Sequence, residues 1–220
     1  MEQTTHRSAA IRDGLGVGLA VGLSGLAFGA AAITAGLSVA QACVLSLLAF
    51  TGASQFALAG AAGAGGDLVA AAAGALLLGG RNTLYGLRLA DLLRVRGPRR
   101  LLAAHGVIDE TTAVTLAQAS PEAARVGFAT TFASLYVTWN LTTLAGALGT
   151  SFLGDPGMFG LDAVGPATFL AILWLRLAGS VQLRWLAVAG AAVALCATPF
   201  FPPGVPVLLS AVVVLAVLVR

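Results

Sequence analysis

The chain has 220 residues, of which 58% are hydrophobic and only 10% charged, with a mean hydropathy of +0.93. A soluble domain carries about 25% charged residues because its surface faces water, so this composition excludes a soluble globular enzyme and selects lipid as the solvent. The formal net charge of +3 is small and scattered, which excludes a nucleic-acid-binding surface.

Residues 1–12 read as a short N-terminal tail without a cleavable signal pattern, and the first apolar run is long enough to remain as a span. Seven apolar segments follow, near 13–36, 39–62, 67–90, 122–150, 162–178, 183–200 and 204–219. A bilayer core of about 30 Å needs roughly 20 apolar residues per helix, so the pattern predicts an all-α polytopic membrane protein. It would have about seven transmembrane helices in one domain over 13–220. Runs such as Ala70 to Leu78 and Val205 to Val219 lack the two-residue alternation of a membrane β-barrel.

Most links are short. The exception is the basic link at 91–121, with Arg94, Arg96, Arg99 and Arg100. Inside it, Arg99 to Ala104 predicts a short helix ending at Gly106. Ser120-Pro121-Glu122 then reads as an N-cap, a proline at the first helical position and an acid in the first turn.

Arginine-rich links mark the cytoplasmic side, and from the third segment onward the links alternate correctly. Three full crossings before a cytoplasmic link put Arg7 and Arg12 outside, so the pattern predicts either an outside N-terminus, the favoured reading, or one re-entrant early segment. Shifting the chain by about 113 residues overlays Gly14 on Gly127, Gly36 on Gly149, Gly52 on Gly165 and Phe56 on Phe169. That echo predicts two inverted three-helix repeats plus one helix, a plan found in many transporters.

Gly14, Gly18, Gly22, Gly25, Gly29 and Gly36 fall on one face of the first segment, which predicts close packing against another helix. In the second segment, Thr51-Gly52-Ala53-Ser54-Gln55-Phe56 sets polar side chains in the middle of an apolar run. A discontinuous helix there would expose backbone groups to the charged ends of a small solute. Alternatively, Ser54 and Gln55 bond neighbouring helices. The G-x-S-x-G hydrolase pattern fails at Phe56, and the two histidines, His6 and His105, lie off the apolar spans. No catalytic residue, metal site or cofactor is expected, and Cys43 and Cys196 read as small apolar packing residues.

The third segment carries Gly79-Gly80-Arg81-Asn82-Thr83-Leu84-Tyr85-Gly86. A central arginine costs about 2.5–3.5 kcal/mol on insertion, so such residues usually face the protein interior. Arg81 could hold a carboxylate in bidentate fashion, with Asn82 and Tyr85 beside it, or its side chain could snorkel toward the basic interface. Asp109-Glu110-Thr111 could carry protons, bind an ammonium group, or start a helix. Asn140 is a second intramembrane amide, and Asp162 opens the fifth segment.

These residues resemble the AzlC/BrnF-type large subunit of bacterial branched-chain amino acid exporters, over roughly positions 12 to 219. Three motifs carry the resemblance: Gly52-Ala53-Ser54-Gln55-Phe56, Arg81 with Leu84-Tyr85-Gly86, and Asp109-Glu110-Thr111. Gly160-Leu161-Asp162 also fits, whereas Gly79 and Asn82 depart from the pattern. The resemblance implies a small AzlD/BrnE-like membrane subunit as partner. It also implies efflux of leucine, isoleucine, valine or methionine across the cytoplasmic membrane, driven by the proton gradient. On this reading Ser54, Gln55, Arg81, Asn82, Tyr85 and Asn140 line the substrate site, and Asp109, Glu110 and Asp162 serve coupling. An ion or small-solute channel subunit and a non-transporting membrane scaffold are the alternatives.

Overall fold

The computed structural model describes residues 2–66, 68–153 and 177–201, with scattered positions between 167 and 213. All regular structure among the described residues is α-helical. Helix α1 (Glu2–Gly22) and α2 (Gly25–Thr34) form one kinked rod, and residues 2–12, expected as a tail, are its first turns. The kink at Leu23-Ser24 frees the Gly22 carbonyl, which receives the Thr142 hydroxyl at 2.6 Å. Thr4–Thr34 is long and apolar enough to cross a bilayer, at 31 residues and a mean hydropathy of 1.8; among the described residues no other helix meets both conditions.

This rod lies along α9 (Pro121–Ser151), and the glycine face makes the approach possible. Gly14 sits at Thr130–Thr131, Gly18 at Ser134–Leu135, Gly22 at Thr138–Trp139 and Gly29 at Thr143–Ala147. A Cβ on Gly29 would overlap the Thr143 carbonyl, and one on Gly146 would overlap that of Leu26. The matching positions rise together, so α1–α2 and α9 run parallel. An inverted repeat would set these two helices antiparallel, because the 113-residue shift pairs them. The expected repeat is therefore not the arrangement of this bundle; Gly165 and Phe169 lie outside the described residues.

The second apolar segment is not one helix. Ser38 and Gln41 cap the start of α3 (Val39–Leu48) reciprocally, at 3.2 and 2.8 Å. The chain then breaks at 49–52 and resumes as α4 (Ala53–Gly63). Ser46 bonds Asn140 while Phe50 meets Tyr136, so α3 descends α9. In contrast, Phe56 meets Phe28 and Gly63 meets Ala35, so α4 climbs beside α2. Collinear helices would separate residues 45 and 55 by about 15 Å, yet their groups bond at 2.9 Å. The pair is a re-entrant V, whose arms of 10 and 11 residues each span about half a bilayer core.

The third segment also departs from a straight helix. Helix α5 (Leu68–Gly79) kinks at Gly80 into α6 (Arg81–Leu93), where Thr83 N–H bonds Gly80 O at 3.0 Å in a tightened turn. The α6 end is fastened to the start of α9 by Arg125 Nε, which donates to Leu92 O at 3.0 Å. The link 91–121 holds α7 (Arg99–His105), capped by Gly106 as its sequence predicts, and α8 (Asp109–Ala117). It is no peripheral loop. Gly106 packs on the Phe132 ring, Ile108 joins the core with Leu135 and Trp139, and Val114 and Gln118 return to Gly127. Thus α7 and α8 form a second re-entrant pair, entering from the end opposite to α3–α4.

Thr4 and Arg7 line one shallow cavity with Ser120 and Glu122. The N-terminus therefore sits at the same end as the basic link, not at the opposite end, because α3–α4 turns back instead of crossing. Ser120 caps α9 by accepting the Ala123 N–H at 3.2 Å. The sixth expected segment is α10 (Val181–Ala197); the expected segments 162–178 and 204–219, and Asp162 with them, lie outside the residues described continuously.

The glycine face gives a direct test. Gly29→Ala should lower stability by about 1–3 kcal/mol through overpacking. Gly16→Ala, where nothing lies within 4 Å of the new Cβ, should leave it unchanged or raise it by up to about 1 kcal/mol. Thermal unfolding in detergent reads both, and equal melting of the two variants would refute the close contact.

Candidate functional site

The break at 49–52 exists because Gly52 adopts φ +61°, ψ −88°, which side chains rarely tolerate. Breaking a helix inside a bundle leaves carbonyls and N–H groups unpaired, and side chains answer for them here. Gln55, only 1% exposed, accepts the Gly52 N–H at 3.2 Å and donates to Leu45 O at 2.9 Å. Tyr136 Oη donates to Leu47 O at 3.2 Å, and Thr51 Oγ1 to Ala49 O at 3.1 Å. Asn140 accepts from Ser46 at 2.8 Å and donates to Tyr136 O at 2.8 Å, which fastens α3 to α9.

Phe50 occupies the tip of the V. Its ring centroid lies 5.0 Å from Tyr136 and 6.0 Å from His105, the last residue of α7. The two re-entrant pairs therefore touch near the middle of α9. Ser54, in the first turn of α4, faces the kink between α5 and α6: a Cβ on Gly79 would come within 3.3 Å of Ser54 Oγ.

Directly after that kink stands Arg81. It is not mid-helix but the first residue of α6. Its Nη2 pairs with Asp109 Oδ2 at 2.7 Å, and Asp109 opens α8. Thr111 holds that start in place, accepting the Ile108 N–H at 3.1 Å and donating to Gly106 O at 2.6 Å. The ion pair uses a single contact. Arg81 Nε, Asn82 Oδ1, Asp109 Oδ1 and Thr112 Oγ1 are buried atoms with no hydrogen-bond partner among the described residues, as is Trp139 Nε1. Four of these five belong to the first turns of α6 and α8. Buried polar groups are nearly always satisfied in folded proteins, so the first turns of α6 and α8 are the candidate site for a polar solute or water.

The family described as AzlC protein matches residues 16–153. The chain belongs to the AzlC family. The match runs from α1 to the end of α9 and so contains every element that builds the site. None of the curated proteins and none of the solved structures matches the chain. The AzlC family is associated with branched-chain amino acid transport and is not an enzyme family. Together with the apolar Thr4–Thr34 rod, membership makes this a membrane protein.

Within this AzlC chain, the structure brings Ser54, Gln55, Arg81, Asn82 and Asp109 to the meeting of the broken helices. Glu110 follows Asp109 in the first turn of α8 and is half-buried. Tyr85 packs one turn further on, against Leu89, Val107 and Phe128, and Arg88 is exposed. Asn140 lies behind the break, tied to α3, and Asp162 lies outside the described residues. Sequence reasoning missed Thr112, although it stands one turn from Asp109. It also missed the pairing of Arg81 with Asp109, which no local pattern announces.

Gln55 offers the clearest stability test. Gln55→Leu keeps the volume nearly constant but strands the Gly52 N–H and a Leu45 lone pair. It should cost about 1–3 kcal/mol for each group left unpaired, read as a lowered melting temperature of the detergent-solubilised protein. A leucine variant as stable as the parent would show that Gln55 does not hold the break.

Proposed function

We propose that this chain is the large subunit of a secondary transporter that exports branched-chain amino acids, with methionine a further substrate, across the cytoplasmic membrane. It works as a multi-pass protein with a small AzlD/BrnE-like membrane subunit, driven by the proton gradient. One observation carries the reading: in an AzlC-family chain, two re-entrant helix pairs enter from opposite ends and touch at Phe50 and His105, and α8 of the second pair is joined to α6 by the half-buried Arg81–Asp109 ion pair. Discontinuous helices ending near the midplane are how many transporters hold small charged solutes, since helix termini offer free N–H and C=O groups.

The arginines support a membrane orientation. All 12 Lys and Arg positions are arginine. With α3–α4 re-entrant, the proposed crossings are α1–α2, α5–α6, α9 and α10, together with the apolar segments expected from the sequence at 162–178 and 204–219. Arg7 and Arg12, the cluster Arg94 to Arg100, Arg176 with Arg184, and Arg220 then all fall on one side, the cytoplasmic one. Leu15, Leu19, Leu26, Leu76 and Leu84 stand exposed on the outer faces, which suits contact with acyl chains. The earlier conflict between an outside N-terminus and the positive-inside rule disappears.

Single cysteines in a background lacking Cys43 and Cys196 test this orientation. Positions 7 and 96 should be shielded from an impermeant external thiol reagent, and position 65 should be labelled. External labelling at position 7 would overturn the re-entrant assignment. For the activity, cells lacking the gene should accumulate leucine when fed leucine peptides. The chain with its small subunit should restore efflux, and the chain alone should not. Full export from vesicles holding only this chain would refute the subunit role.

A further inference from the structure

We propose that the Arg81–Asp109 ion pair is the specificity element of the site. The substrate binds by splitting it, its carboxylate taking Arg81 and its ammonium taking Asp109. This deepens the transport reading above and rests on it.

The geometry of the pair supplies the argument. An arginine paired with a carboxylate frequently adopts the two-bond fork, which is the stronger arrangement. Here one contact joins Nη2 to Oδ2 at 2.7 Å, while Nε and Oδ1 are buried and unpartnered among the described residues. Each member of the pair thus keeps one hydrogen-bonding atom free of protein partners. Two more such atoms belong to the same first turns, Asn82 Oδ1 on α6 and Thr112 Oγ1 on α8. Asn82 Oδ1 and Asp109 Oδ1 accept, Arg81 Nε donates, and the Thr112 hydroxyl does either. A free amino acid presents the complement, a carboxylate that needs donors and an ammonium that needs acceptors.

Charge conservation makes the set selective. The closed pair is neutral, and a zwitterion that splits it leaves two neutral pairs. A carboxylate without an amine would leave Asp109, whose side chain is 23% exposed, without a counter-charge, and an amine without a carboxylate would leave Arg81, 38% exposed, so. An uncompensated charge is disfavoured in proportion to its burial. Glu110 follows Asp109 on α8, Tyr85 lies one turn along α6, and His105 ends α7 four positions before Asp109.

The test uses membrane vesicles holding the full chain with its small subunit, with radiolabelled leucine as probe. The competitors are 4-methylpentanoate, which is leucine without its amine, and 3-methylbutylamine, which is leucine without its carboxylate. Each should compete at least tenfold more weakly than unlabelled leucine. Asp109→Asn should narrow the gap between leucine and the acid, and Arg81→Gln the gap between leucine and the amine. Arg81→Lys should bind leucine nearly as poorly as Arg81→Gln, because a point charge cannot reproduce the fork. Competition by either analogue within threefold of leucine overturns the proposal on the parent protein alone, whatever the variants do to folding. Unchanged competition ratios in both neutral variants, with folded protein confirmed by gel filtration, overturn it as well. No leucine flux in the parent vesicles would overturn the transport reading and this inference together.

Discussion

Every feature of this bundle depends on one requirement: backbone groups released by breaking a helix away from water must find partners. Three side chains meet it around the first V: Gln55 ties both arms together, and Tyr136 and Thr51 take carbonyls at the end of α3. Asn140 anchors that arm to α9 through Ser46. Thr111 does the same work for the turn between α7 and α8. Among the described residues, the buried side-chain atoms left without partners are on Arg81, Asn82, Asp109, Thr112 and Trp139, four of the five in the first turns of α6 and α8. Unsatisfied polarity concentrated in this way is the pattern expected of a binding site.

Support for both V-shaped insertions comes from a single spine. The α1–α2 rod and α9 run parallel with glycines against Thr143 and Leu26 backbone, so their axes approach closely. Parallel neighbours joined by an intervening chain need an even number of reversals. The chain achieves this by letting α3–α4 turn back at its own tip and α5–α6 make the return crossing. On the other end α7–α8 dips in and comes out before α9 starts. Thr142 and Ser134 on α9 contribute hydroxyls toward α1, which explains why a helix of 31 residues carries so many polar positions on an inner face.

Much of this was legible in the sequence, and the losses have physical causes. Ser120-Pro121-Glu122, the short helix ending at Gly106 and the glycine face from Gly14 to Gly29 came through, because each depends on neighbours within one or two turns. Gly36, in contrast, lies past the end of α2 at φ +87°, where an added Cβ meets nothing within 4 Å among the described residues. The 39–62 segment was misread as a span because hydropathy sums along the chain and cannot see direction. Ten apolar residues in and eleven out have the same total as one crossing. The signals that a turn was possible, Gly52 and the polar Thr51-Ser54-Gln55 around it, were visible, yet nothing local says whether a kink continues or reverses. The topology error followed from that one misreading. The 113-residue echo failed for a different reason: glycines recur at helical spacing wherever helices pack closely, so their coincidence carries no information on orientation.

The Arg81–Asp109 pair links these levels. Its members are 28 positions apart and meet only if α8 is inserted beside α6. Asp109 belongs to a segment whose neighbours, Arg94 to Arg100, are held at the end of the bundle by their charge. Insertion of α7–α8 therefore carries a carboxylate inward against the tendency of its own link to stay in water. Arg81 compensates that carboxylate, as Asp109 compensates Arg81, and each is tolerated at this depth because of the other. The inner helix pair is thus seated by apolar packing of Ile108 and Val114 and by a charge contact that uses one bond instead of two.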